Sequence, residues 1–157
     1  MIRTLAFALV LLAAGPAAAQ QIPEPNGAPI SLAQAQRIVA AAEAEARRLN
    51  FRMAFAVVEP DGELVAFERI DGTQYGSIEV AQAKARSAAR FRRATKVFAD
   101  QVAGGATGAL SLPGVIAIEG GVPIVEGGRM VGALGVSGGT SVQDGQVAQA
   151  ALAAQGR

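Results

Sequence analysis

GGVPIVEGGRMVGALGVSGG runs from Gly120 to Gly139, and its reading decides the fold. Two apolar runs, Val122–Val125 and Arg129–Ser137, flank Gly127-Gly128. Paired glycines between apolar runs predict a β-hairpin. A third short run, Val115–Ile118, stops at Gly120-Gly121 and reads as another strand. Along Arg129–Ser137 the odd positions Ala133, Gly135 and Ser137 are nearly bare, while Met130, Leu134 and Val136 are bulky. A bare strand face admits the close approach of a helix or of a flat ligand. The sequence leaves that choice open.

Two catalytic readings of the same stretch fail. GVSGG (135–139) fits the G-x-S-x-G pattern of a hydrolase elbow, but that serine is activated by histidine and the chain has none. A Ser137–Lys84 arrangement is the remaining nucleophilic option, and a serine without a placed base is inert. Gly132, Gly135 and Gly138 are spaced G-x-x-G-x-x-G, which is not the dinucleotide fingerprint, and no lysine follows to make a P-loop. The absence of histidine and cysteine also excludes Ser-His-Asp and Cys-His catalysis, zinc sites built on those ligands and an axial histidine to haem.

Upstream, Ser31 and Gln34 form an S-x-x-Q capping box, followed by an apolar stripe from Leu32 to Leu49, so a helix is predicted to about Asn50. Pro60-Asp61-Gly62 between two apolar runs predicts a hairpin of strands Met53–Glu59 and Glu63–Ile70. Ser77 is placed to cap a helix over Ile78–Arg93. Its apolar side is small, and its polar side carries Lys84, Arg86, Arg90, Arg92, Arg93 and, just beyond, Lys96. That basic face reads either as solvated or as an anion-binding edge. Residues 99–114 read as a glycine-bearing loop, and Ser141 with Asp144 as the cap of a last helix. The sum is one α+β domain with a five-stranded antiparallel sheet and packed helices.

Arg3, the apolar run Leu5–Ala14 and Ala17-Ala18-Ala19 make an export signal over residues 1–19, with cleavage after Ala19 and no membrane anchor left behind. A periplasmic or secreted location follows from it. Residues 20–30, with three prolines, read as an extended or mobile arm before a single domain over 31–157. Loss of Arg3 leaves 13 basic residues from 14, against 13 acidic. The mature chain is therefore neutral, and net charge makes no case for nucleic acid.

The residues also carry a family likeness over about Ser31 to Leu152. GGVPIVEGGRMVGALGVSGGTSVQD resembles the glycine signature of the GlcG/HbpS-like proteins, which include the C-terminal domain of PduO-type proteins. AVVEPDGELVAFERIDG resembles their first hairpin, and AQAKARSAARFRRAT their A-x-x-KA helix motif, carried by Lys84, Ser87, Phe91 and Thr95. The resemblance implies a profilin-like α+β fold, homo-oligomers that are often octamers, and in some members haem binding and haem degradation. Glu59 replaces the family's usual aspartate. Without histidine, the side chains left to ligate haem are Tyr75, Met53, Met130 and Lys84, unless the porphyrin binds without an axial ligand from the protein. Tyr75, the one tyrosine, is the first candidate. The ligand-binding candidates are Arg69, Tyr75, Lys84, Phe91, Thr95, Gly121, Pro123 and Ser137, with the basic helix face available to haem propionates.

Three function classes stay open at this point. The first is an oligomeric binding protein for haem or a related planar carboxylate. The second is an enzyme on a small organic acid, with Lys84 or Arg69 holding the carboxylate and Glu59 or Asp144 as acid or base. The third is a ligand-free accessory subunit.

Overall fold

Ser31 starts the first helix as its spacing predicts. In a computed structural model that describes residues 25–156, the Gln34 N–H donates to the Ser31 hydroxyl and the Gln34 side chain reaches back to the cap. The expected signal segment lies outside the described residues. Helix α1 (Leu32–Arg48) buries Ala35, Ile38, Val39, Ala42 and Ala46 on one stripe. Strands β1 (Ala54–Val58) and β2 (Leu64–Arg69) pair through the Pro60-Asp61-Gly62 turn, each shorter than the sequence suggested. Helix α2 (Gly76–Phe91) follows, then α3 (Thr95–Ala103) and a 3-10 turn over Thr107–Ser111. Strands β3 (Gly121–Glu126) and β4 (Arg129–Ser137) form the predicted glycine hairpin, and α4 (Ser141–Ala153) closes the order.

The sheet has four antiparallel strands in the order β2-β1-β4-β3, not the five expected. Val115–Ile118 forms no strand. Its Ile116 N–H donates to the Ser87 hydroxyl on α2 rather than to a neighbouring strand. Gly120, at φ +126, then turns the chain into β3 by a route that a side chain would oppose.

The two sheet faces differ in what covers them. Phe55, Val57, Leu134, Val136, Val122 and Ile124 meet α1 and α4 in the larger core. On the other face Ala54, Ala56, Val58 and Ala133 meet Ala81, Ala85, Ala88 and Ala89 of α2. Small residues on both sides bring helix and strands very close. A Cβ added to Gly135 would lie 2.0 Å from the Ala81 carbonyl oxygen. The bare strand face is therefore filled by a helix, which leaves no slot there for a flat ligand.

Three local readings are corrected, and a fourth is narrowed. Ser77 lies inside α2 and is buried, so Tyr75 takes the cap position and no side chain bonds there. That helix stops at Phe91 because Arg92 turns left-handed. Thr140, not Ser141, caps α4 through a box with Gln143, since Asp144 is drawn inward and cannot serve the cap. Residues 25–30 are extended but pinned: Asn26 bridges Met130, the Ile30 N–H donates to the Val131 carbonyl, and Ile30 is buried.

Both outer strands are irregular. In the β1–β2 ladder the partner jumps from Ala66 to Leu64, so Val65 is skipped in a bulge. Strand β3 carries Pro123, which has no N–H to offer. The Thr140 cap gives a direct stability test. Thr140→Ala is expected to lower folding stability by about 1 kcal/mol, read as a fall in the urea midpoint with an unchanged m-value.

Candidate functional site

Lys84 sits on α2 between the buried positions Ala81 and Ala88, so its stem follows the helix into the protein. Its Nζ donates to the Asp144 carboxylate at 2.7 Å and to the Val136 carbonyl at 3.1 Å. The two side chains are 1% and 4% exposed. The Gly139 N–H donates to the other Asp144 oxygen at 2.9 Å. Burial pushes the Asp144 carboxyl above its ordinary range, and the Lys84 ammonium and the Gly138 and Gly139 N–H groups pull it back. The pair ties α2 to the start of α4 across the end of β4.

Gly120 closes over this pair. A Cβ there would meet Lys84 Nζ at 2.8 Å and the Asp144 Cβ at 2.9 Å. Next to it, the Gly121 N–H donates to the Thr95 hydroxyl at 3.0 Å, and Ser137 is buried at the end of β4. The structure thus gathers Lys84, Thr95 and Gly121, with Asp144 and Ser87, in one inner polar cluster. Among the described residues, no buried side-chain N or O atom lacks a partner. The cluster is a completed internal network, and neither Lys84, Thr95 nor Asp144 lines the grooves around Ile124, Ile70 or Gly139.

Lys84 therefore leaves the basic helix face on which its spacing placed it. Four of the other five cations of that region, Arg86, Arg90, Arg93 and Lys96, are also engaged by their own chain. Arg86 donates to the Gly62 carbonyl and Arg90 to the Asp61 carbonyl, clasping the β1–β2 turn. Lys96 pairs with Asp100, and the Arg93 guanidinium lies 5.8 Å from the Phe98 ring centre. Phe91 meets Phe98 edge-on at 5.3 Å, a packing contact between α2 and α3. Pro123 is half-buried on an outer strand. Phe91 and Pro123 take structural places here.

Arg69 and Tyr75 form a separate, outer group. Arg69, Ala54 and Ser137 share one rung of the sheet. From the β2 end of that rung the Arg69 guanidinium reaches over the Tyr75 ring, 5.6 Å from its centre. Tyr75 itself is 82% exposed, at the start of α2. Its neighbour Gln74 lines an open groove of about 600 Å³ with Asn50, Phe51, Arg52, Gly72, Gly138, Gly139 and Gln143. The Arg52 guanidinium lies against Gly72, where a Cβ would meet its nitrogen at 2.8 Å. Sequence reasoning missed Arg52, Gln74 and Gln143, because a short connector, a loop and a cap residue share no spacing that points to one place.

This division bears on two earlier options. Lys84 and Asp144 meet, but Arg69 lies apart and Glu59 follows the opposite end of β1, so the four groups proposed for acid chemistry share no pocket. Met53, Met130 and Lys84 are enclosed, so of the four side chains considered for haem iron only Tyr75 is exposed.

The comparisons with known proteins agree with this architecture. Residues 30–153 match the family described as "Haem degrading protein HbpS-like". Protein GlcG of Escherichia coli (strain K12) is 41% identical over 108 residues, 69% of this chain and 81% of that protein. The crystal structure of a double mutant of Streptomyces reticuli HbpS superposes with a TM-score of 0.75 at 29% identity, covering 92% of this chain and 99% of that one. The crystal structure of a PduOC:Heme complex superposes at 0.73 with 28% identity, covering 80% and 94%. With its glycine hairpin, its alanine-faced helix and most of its length aligned to these relatives, the chain belongs to the HbpS-like family.

Proposed function

We propose that the mature protein is an exported, oligomeric binding protein for haem or a related planar, carboxylate-bearing ligand, with haem degradation as an extension of that binding. The observation that carries the reading is the exposed Tyr75 phenol with the Arg69 guanidinium over its ring, beside a groove holding Arg52. The haem complex solved for a relative supports the ligand class. The signal pattern in residues 1–19 supports export.

The residues present fit haem in a particular way. Haem supplies a Lewis-acidic iron and a flat apolar ring when bound. A phenol oxygen is an established type of protein ligand to haem iron. Tyr75 would offer that oxygen from its exposed position at the start of α2. Arg69 would keep the ring in place by cation–π attraction. Arg52 would pair with a carboxylate arm, where a guanidinium binds well. The groove is open, so a second copy of the chain would supply the facing wall.

Haemin titration of the mature protein tests the reading. Binding is expected to shift the Soret band at micromolar protein, and Tyr75→Phe is expected to remove the phenolate-type spectrum and weaken binding at least about tenfold, roughly the 1.4 kcal/mol of one lost polar contact. No Soret shift in the wild type would end the haem version. An unchanged Tyr75→Phe spectrum would remove Tyr75 as the ligand.

A further inference from the structure

We infer that residues Gly104–Gly120 form a strap that opens as a local unit while the rest of the fold stays intact, and so uncovers the Lys84–Asp144 pair. The strap lies between α3 and β3. Its 3-10 turn contains no buried residue. Leu110, Leu112 and Ile118 are 59%, 45% and 49% exposed, so its larger apolar side chains do little to hold it to the body. Among the described residues, one hydrogen bond joins the stretch 107–119 to residues outside the strap, from the Ile116 N–H to the Ser87 hydroxyl at 3.1 Å. Segments with few buried apolar contacts and few bonds to the core open at a small fraction of the global unfolding cost.

The ends of the strap suit a hinge. Gly105 has φ +89 and Gly120 has φ +126, and a Cβ at Gly105 would touch nothing. Glycine is present at Gly105 for its backbone freedom rather than for lack of room. What lies beneath the strap is unlike an ordinary core. Ser87, Lys84 and Thr95 are all buried along one side of α2 and the start of α3. Lys84 Nζ has three protons and two acceptors, Val136 and Asp144, and Gly120 covers it. Lifting Gly120 breaks its carbonyl's bond from the Val136 N–H and leaves the ammonium facing solvent. A ligand that binds the uncovered pair would hold the strap open, in proportion to its preference for that form.

The chain offers a clean reporter, because Lys84 and Lys96 are its two lysines and Lys96 is exposed. Acylation of the native mature protein with a small amine-reactive ester, followed site by site by mass spectrometry, is compared with hydrogen exchange of β4 amides, which reports global unfolding. Lys96 is expected to react at once. Lys84 is expected to react slowly, yet at least about 100-fold faster than global opening allows, in step with the strap amides. Ser87→Ala removes the acceptor for the Ile116 N–H and is expected to speed Lys84 acylation by about tenfold, with β4 exchange unchanged. Lys84 acylation that tracks β4 exchange in the wild type would overturn the inference. So would a Ser87→Ala protein in which the ratio of the two rates does not move.

Discussion

Lys84→Met is expected to cost about 3–5 kcal/mol of folding stability, enough to lower Tm on the order of 10 to 20 °C. The loss does not measure the worth of the ion pair. It arises because Asp144 stays behind, 4% exposed, with its carboxylate facing no cation. Burial already raises the Asp144 pKa while the ammonium opposes it. With the ammonium gone, burial acts with only the Gly138 and Gly139 N–H groups against it, and the folded-state pKa climbs further. The folded variant then holds its proton more tightly than the unfolded chain does. Its stability therefore falls as pH rises from the ordinary aspartate range through the raised folded value. Below that range Asp144 is protonated in both states, so the deficit against the wild type narrows in acid. Neutralising the orphan with Asp144→Asn in the same chain is expected to restore more than half of the loss, since an amide oxygen can still accept from Gly139. Urea denaturation of the three proteins at neutral and acid pH measures each of these. A single variant within about 1 kcal/mol of wild type at neutral pH would mean that the carboxylate is not enclosed in solution.

Gly135→Ala is the second large effect. The added methyl would lie 2.0 Å from the Ala81 carbonyl oxygen and 2.6 Å from the Ala85 nitrogen. Both are backbone atoms of α2, so no rotamer change makes room. The helix must move off the sheet, and the alanine contacts at Ala81, Ala85, Ala88 and Ala89 loosen together. The expected loss is about 3 kcal/mol or more. Gly108→Ala is the matched control: nothing lies within 4 Å of its added Cβ, and its φ is not in the left-handed region. Stability within about 0.5 kcal/mol of wild type is expected there. Equal urea midpoints for the two variants would show that α2 does not pack against β4 as described.

What could be read from the residues follows the range of the interactions. Helix α1, the first hairpin and the glycine hairpin depend on local signals, namely a capping box, a Pro-Asp-Gly turn and paired glycines, and all three stand. Val115–Ile118 has strand-like composition but lacks a partner, because Ser87 claims the Ile116 N–H from another element. Lys84 lies in a row of basic residues, and nothing local separates a lysine that points inward from those beside it. Its acceptor Asp144 is sixty residues away in sequence. The same distance explains the misplaced α4 cap, since Asp144 matches a capping pattern but is spent on Lys84. Of the binding candidates, Arg69 and Tyr75 stand together on the surface, while Lys84, Thr95, Gly121 and Ser137 are internal.

The bulge at Val65 and the proline at Pro123 occupy the two margins of the sheet. Neither margin offers another chain an unbroken row of backbone donors and acceptors, which is the template that strand-by-strand accretion needs. Any assembly of copies would therefore have to use side-chain surfaces, whose fit is set residue by residue and can stop at a defined number. A chain that is half hydrophobic by composition thus presents at these two margins no ready template for the open-ended growth that leads to fibres.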